Sequence, residues 1–183
     1  MDAAKMIVLA VNCGSSSLKL GLYDGGANSP RLLCEAEAEE IGGDRGGLEF
    51  RSADSHPVAQ RCGFPDHQSA LNFILDEIAR LSFPAPTTAG HRIVHGGPHL
   101  RAHQRLTPRV LEEIRAAATF APLHLPAAIS AMEAVTHRLP HIPQAVCFDT
   151  AFHRTLPDVT RRFALPRALA DQGVFRYGFH GLS

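Results

Sequence analysis

The sequence predicts an α/β fold on a mixed sheet, with strands first and then helices alternating with strands. Three stretches carry that prediction. Residues 6–23 read as two strands around a Gly/Ser-rich bend. Residues 65–81 read as an amphipathic helix, and Gln144–Phe148 as a buried strand that opens directly onto Asp149.

Ile7-Val8-Leu9-Ala10-Val11 is apolar without polar alternation, as expected of a strand covered on both faces. Asn12-Cys13-Gly14-Ser15-Ser16-Ser17 then supplies a glycine for an unusual backbone angle, three hydroxyls and backbone N–H groups able to face an anion; Lys19 adds a cation. A Walker loop would lead into a helix, whereas residues 18–23 alternate as a returning strand and end at the turn Asp24-Gly25-Gly26. The stretch is therefore a strand-loop-strand phosphate site or, on its residues alone, an ordinary hairpin with a serine-rich turn.

Residues 31–36 can form a third strand, and the glycine-rich turn 42–47 precedes a fourth at 48–51. In the helix that begins at Pro65-Asp66, the residues Ala70, Leu71, Ile74, Leu75, Ile78 and Leu81 follow the i, i+3, i+4, i+7 rule and should pack on the sheet. Residues 89–94 return as a strand that stops at Gly96-Gly97-Pro98, a kind of strand end that functional loops favour. Thr107-Pro108 reads as an N-cap followed by a first-turn proline, with Val110, Leu111, Ile114 and Ala117 as the apolar stripe. Another helix starts at Pro126, carries Ile129, Met132 and Val135, and stops at Leu139-Pro140.

Eighteen basic residues balance eighteen acidic ones, leaving no field to hold a nucleic-acid backbone or an anionic membrane. No apolar run approaches the roughly 20 residues of a membrane span, and Met1-Asp2-Ala3-Ala4-Lys5 lacks a signal peptide's apolar segment, so a cytoplasmic location is expected. Cys13, Cys34, Cys62 and Cys147 form no CxxC pair and read as reduced thiols. The 183 residues suffice for one domain.

Arg92 occupies a strand pattern that otherwise wants apolar residues, so it either pairs with a buried carboxylate or faces a cleft, where its fork suits a carboxylate or phosphoryl oxygen. His91, His95, His99 and His103 recur every four residues, but Gly96-Gly97-Pro98 breaks any helix through them, and no metal is assigned to them. Asp149, His124 and His180 each admit a bland reading: a turn cap for the first, satisfied core or loop residues for the others.

The segments NCGSSSLKL (12–20), HRIVHGG (91–97), APLH (121–124), FDTAFH (148–153) and YGFHG (177–181) occur in that order. Together they resemble the acetate kinases, a family within the actin-like ATPases, over residues 6–183. The resemblance narrows the fold to an actin-like (ribonuclease H-like) domain whose mixed sheet opens with antiparallel strands and is packed by helices. It also implies a reaction: reversible in-line transfer of the ATP γ-phosphate to acetate or a similar short-chain acid, with Mg²⁺ bridging the phosphates. Carried over by residue, Arg92, Asp149 and His180 are catalytic, while Arg92, Val94, Leu123, His124 and Phe179 bind the acid. Asn12, Ser15, Ser17 and Lys19 hold nucleotide phosphates, with Asn12 reaching the metal through water.

Family members commonly carry Asn where this chain has Leu125, which puts acid preference in doubt through a lost polar contact. The resemblance covers only the amino-terminal half of a family member and ends at Gly181-Leu182-Ser183, so a truncated, inactive fragment lacking the carboxy-terminal nucleotide-binding half is expected, and a homodimer at full length. The competing reading is a non-catalytic half-length module for binding or assembly. A sugar kinase or chaperone-type ATPase fits the first loop but not HRIVHGG or FDTAFH.

Overall fold

A computed structural model describes residues 5–26, 29–53, 55–172, 174 and 176–182; the expectations placed on Met1 to Ala4 and on Ser183 lie outside the described residues. Strand β1 (Ile7–Cys13) buries Ile7, Leu9, Val11 and Cys13, and β2 (Leu18–Asp24) returns antiparallel beside it, pairing Cys13 with Leu18 and Ile7 with Asp24. The meander continues through β3 (Arg31–Glu39), β4 (Gly47–Ser52) and β5 (Val58–Arg61). On the other flank of β1, β6 (Thr88–Ile93) runs parallel to it and β8 (Gln144–Phe148) parallel to β6, while the two-residue β7 (Gln104–Arg105) closes that edge antiparallel. The result is one eight-stranded sheet in the order β5-β4-β3-β2-β1-β6-β8-β7, the mixed sheet with an antiparallel opening that the sequence predicted.

Helices α1 (His67–Arg80) and α2 (Pro108–Ala116) begin directly after a capping side chain, while α3 (Leu125–Arg138) begins one residue ahead of the expected Pro126 and has no side-chain cap. Asp66 accepts from the Ser69 N–H at 2.7 Å, and Thr107 accepts from the Val110 N–H at 3.2 Å ahead of Pro108. Ala70, Leu71, Ile74, Leu75 and Ile78 of α1 are buried as the pattern required, but Leu81 is the C-cap and 42% exposed, so the stripe ends one turn early. Three short helices follow: α4 (Asp149–Phe152), α5 (Asp158–Arg161) and α6 (Arg167–Asp171). No described helix is long and apolar enough to cross a membrane.

Side-chain alternation divides the sheet. Leu9, Val11, Leu20, Leu22, Ala36, Ile93, Val146 and Phe148 point into the core with the buried faces of α1 and α3. Asn12, Lys19, Glu35, Glu37, Arg92 and Cys147 alternate with them and point to the other face. All four cysteines are free; burial pushes the Cys13 thiol up to about 12 and Cys34 to about 11, so both stay protonated at neutral pH.

The core side of β6 contains one imidazole. His91 donates from Nε2 to Gln144 Oε1 at 2.7 Å, Gln144 Nε2 donates to Thr136 Oγ1 at 2.9 Å, and the Thr136 hydroxyl donates to the Met132 carbonyl at 2.8 Å. Burial, only partly opposed by the Gln144 contact, lowers the His91 pKa to about 4. Because the folded protein holds this ring neutral and the unfolded chain protonates it below about 6.5, its contribution to stability is complete above pH 6.5. That contribution is lost as pH falls towards 4. The loss should amount to about 3 kcal/mol. Urea unfolding at pH 7 and pH 4.5 tests this: His91→Gln should be less stable than wild type at pH 7 and should lose less on acidification. Equal losses in the two proteins would clear His91 of the effect.

Candidate active site

The parallel strands β1, β6 and β8 end on the same side of the sheet, the position where open α/β sheets place ligands. Asn12 ends near that edge of β1, Arg92 lies beside it on β6, and Asp149 follows β8 at once. A cleft of about 490 Å³ opens there, lined by Asn12, Cys13, Gly14, Ser17, Lys19, Glu37, Arg92, Val94, Phe120, Ala121, His124, Asp149, Phe179 and His180.

Arg92 and Asp149 form its centre. The guanidinium donates from Nε to Oδ1 at 3.0 Å and from Nη2 to Oδ2 at 2.8 Å, a two-point fork. Asp149 is 1% exposed, whereas the Arg92 side chain keeps a quarter of its surface. The carboxylate bonds raise the Arg92 pKa against the opposing effect of burial. The two readings of Arg92 thus hold together: it has a buried carboxylate partner, and it faces the cleft.

The loop between β1 and β2 is held by its own backbone. Gly14 N–H donates to the Ser17 carbonyl at 2.9 Å, the Ile41 N–H to the Ser16 carbonyl at 2.9 Å, and His67 Nε2, at the start of α1, meets the Gly14 carbonyl at 2.9 Å. Two expectations change here. Gly14 does not take a left-handed backbone angle, and a Cβ there would crowd only the rotatable Ser17 hydroxyl, at 2.6 Å. Its amide also closes the turn, so it is not among the N–H groups facing the cleft. Ser17 lines the cleft, while Ser15 stands exposed at the tip of the turn.

Lys19 points to the cleft face but already meets Glu37 at 3.3 Å and Glu35 at 3.9 Å. The alternation Glu35-Ala36-Glu37-Ala38-Glu39 sends its carboxylates to that face, a signal carried in the sequence outside the motifs. His124 is the N-cap residue of α3, so the positive end of a helix dipole meets the cleft beside it. Leu125, next in the chain, is 0% exposed and packs into the core.

His180 adopts φ 56°, unusual for a residue with a side chain. The chain around it is pressed onto the site: a Cβ on Gly181 would come 2.3 Å from the Asp149 carbonyl oxygen, which only glycine permits. Val94 and Phe179 line the cleft together with Phe120, which motif reading missed; Leu123 is 76% exposed and lies outside the lining. The four recurring histidines go separate ways. His91 is in the core, and His95 is buried with Nδ1 accepting from the Gly97 N–H at 2.8 Å. His99 is exposed, and His103 accepts from the Phe148 N–H at 3.1 Å.

For Mg²⁺, the cleft offers hard oxygen donors on Asn12, Ser17, Glu37 and Asp149, but among the described residues no three His, Cys, Asp or Glu side chains converge closely enough to hold an ion. That donor set fits an ion kept mostly by phosphate oxygens and water, and does not fit an all-protein cage.

Residues 7–183 match the Acetokinase family. The acetate kinase of Rhodopseudomonas palustris is 39% identical across 97% of this chain and 46% of its own length, and that of Micrococcus luteus 40% across 97% and 43%. The crystal structure of Porphyromonas gingivalis acetate kinase superposes with a TM-score of 0.87 at 34% identity, covering 96% of this chain and 45% of that one. A propionate kinase from Francisella tularensis superposes with a TM-score of 0.86 at 29% identity, again over 96% and 45%. The chain spans about half the length of the relatives it matches. With the family's motifs gathered round one cleft and the match running through nearly every residue, this chain belongs to the acetokinase family.

Proposed function

We propose that this chain forms one wall of a kinase active site that transfers the γ-phosphoryl group of ATP to the carboxylate of acetate or a similar short-chain acid. The observation that carries the reading is the Arg92–Asp149 fork, set in one cleft with His124, His180 and the loop from Asn12 to Lys19. In the transfer a carboxylate oxygen bonds to the γ-phosphorus while the bond to the β-phosphate oxygen breaks, and its electron pair leaves with ADP. No proton needs to move, so the protein needs no general base; its task is positioning and charge.

Asp149 fixes the plane of the Arg92 guanidinium, which then meets the equatorial oxygens of the transferring group, with His180 assisting from the facing segment. Asn12, Ser15, Ser17 and Lys19 hold the nucleotide phosphates, Lys19 by exchanging Glu37 for phosphate. Mg²⁺, when bound, would be held on the Asn12 side of the cleft and would supply positive charge to the nucleotide phosphates. His124 binds the acid, whose tail lies against Val94 and Phe179; exposed Leu123 has no part in that pocket here.

In the same reading, residues 1–183 are the amino-terminal actin-like domain of a two-domain cytoplasmic kinase that is a homodimer at full length. The other half supplies the adenosine pocket and further phosphate contacts. The chain's span of 46% and 43% of two acetate kinases supports this division.

Three outcomes test the proposal. The 183-residue chain should unfold cooperatively yet form no acyl hydroxamate from acetate, ATP, Mg²⁺ and hydroxylamine, because water is not excluded from an open wall; robust hydroxamate formation would contradict it. In a full-length kinase carrying this sequence as its amino-terminal half, Arg92→Lys should lower kcat by about 10³ to 10⁵, since lysine keeps the charge but not the fork. A variant within a few-fold of wild type would make Arg92 structural only. In the same protein Val94→Ala should shift kcat/KM towards propionate over acetate by about tenfold, the discrimination one methylene commands. An unchanged ratio would remove Val94 from the acyl pocket.

A further inference from the structure

The segment FDTAFH ends in His153, a residue to which the proposed reaction gives no part. His153 follows α4 directly, and its Nε2 donates to the backbone carbonyl of Phe179 at 3.0 Å, joining segments 26 residues apart. A carbonyl has no proton to give, so the imidazole carries one on Nε2. Gly178 makes room for that ring: a Cβ there would fall 2.2 Å from His153 Cγ and 2.3 Å from Cδ2. Any other residue at 178 would have to swing the imidazole away and break its bond to Phe179.

The segment tied in this way brings Phe179 and His180 to the cleft. The Phe179 carbonyl belongs to the peptide plane that leads into His180, so a bond to that oxygen fixes one side of the rotation that sets the His180 φ. That φ is 56°, a left-handed value which a residue with a side chain keeps only where its surroundings hold it. Further contacts flank the segment. The Phe179 ring lies 5.6 Å from the ring of buried His95, and a Cβ on Gly181 would come 2.3 Å from Phe152 Cβ.

We infer that His153 is a positioning residue: its bond to the Phe179 carbonyl fixes the plane from which His180 projects, and so sets His180 and the Phe179 ring in the cleft. The consequence for catalysis rests on the roles proposed above for His180 and Phe179; the tether itself does not.

Two variants separate the donor from the ring. His153→Gln keeps an N–H at the same reach, and His153→Phe keeps a ring without it. In the 183-residue chain, the nuclear Overhauser contact between the Phe179 and His95 rings reads the position of the segment. His153→Phe should weaken that contact roughly two- to tenfold, the range of one lost hydrogen bond, while His153→Gln retains it. Gly178→Ala should act as His153→Phe does and add nothing to it in the double variant, which keeps the test decisive if His153→Phe fails to fold. A contact unchanged in His153→Phe and Gly178→Ala, or weakened equally in His153→Gln, would overturn the proposal. In the full-length kinase His153→Phe should lower kcat about ten- to a hundredfold with the KM for ATP within about twofold, and His153→Gln should stay within a few-fold of wild type. A kcat untouched by His153→Phe would overturn the positioning role even where the contact is lost. If the unaltered full-length kinase forms no acyl phosphate, the proposed reaction fails, and the ring contact alone decides what His153 does.

Discussion

The ion pair between Arg92 and Asp149 is the constraint on which the rest of the site depends. A carboxylate that is 1% exposed cannot remain charged among apolar neighbours without a partner, and breaking such a pair from one side costs about 3 to 5 kcal/mol. Arg92 meets that need with two bonds, and in doing so fixes a guanidinium at the mouth of a cleft. The pair also joins neighbouring strands: Arg92 sits opposite Cys147 in the β6–β8 register, two residues before Asp149. Thr150, next along, accepts from the Gly96 N–H at 3.2 Å and ties the glycine turn after β6 to the start of α4. One interaction thus orders a strand end, a turn and a helix start, all facing the same space.

The period of two along each strand turns that local arrangement into a molecule with one structural face and one chemical face. His91 and Arg92 are adjacent in sequence yet serve opposite sides: the imidazole is held neutral in the core by burial, the guanidinium is held charged by Asp149. The same division separates Leu18 from Lys19 and Val11 from Asn12. A one-residue slip of β6 would bury a guanidinium against α3 and expose Ile93, so the apolar set that builds the core also fixes where the charges point.

Most of this was legible because it rests on strong local signals. The buried runs of β1 and β8, the spacing of α1 and the cap at Thr107 are such signals. Strands β5 and β7 were not legible, since both are exposed edges whose residues, Val58-Ala59-Gln60-Arg61 and Gln104-Arg105, carry no buried face to impose a pattern. Gly14 and Leu125 show a different limit. A motif identifies the position but not what the residue does there: the Gly14 amide closes the turn, and Leu125 sits in the core. Lys19 was recognised as a cation, but its pairing with Glu37 depends on the β2–β3 register, which no local pattern states.

That register bears on the chemistry the cleft can support. Lys19 and Arg92 face Glu37 and Asp149 in the same cleft, so the formal charges of its lining cancel, leaving the helix dipole beneath His124 as an added positive influence. A wall so balanced can orient a phosphoryl group but cannot by itself neutralise a nucleotide's phosphates together with an attacking carboxylate. The phosphoryl transfer proposed above therefore calls for positive charge beyond this wall's own, such as a divalent ion supplies. The balance also guards the fold: with each cation answered by an acid, the chemical face needs no ligand to hold its charges in place.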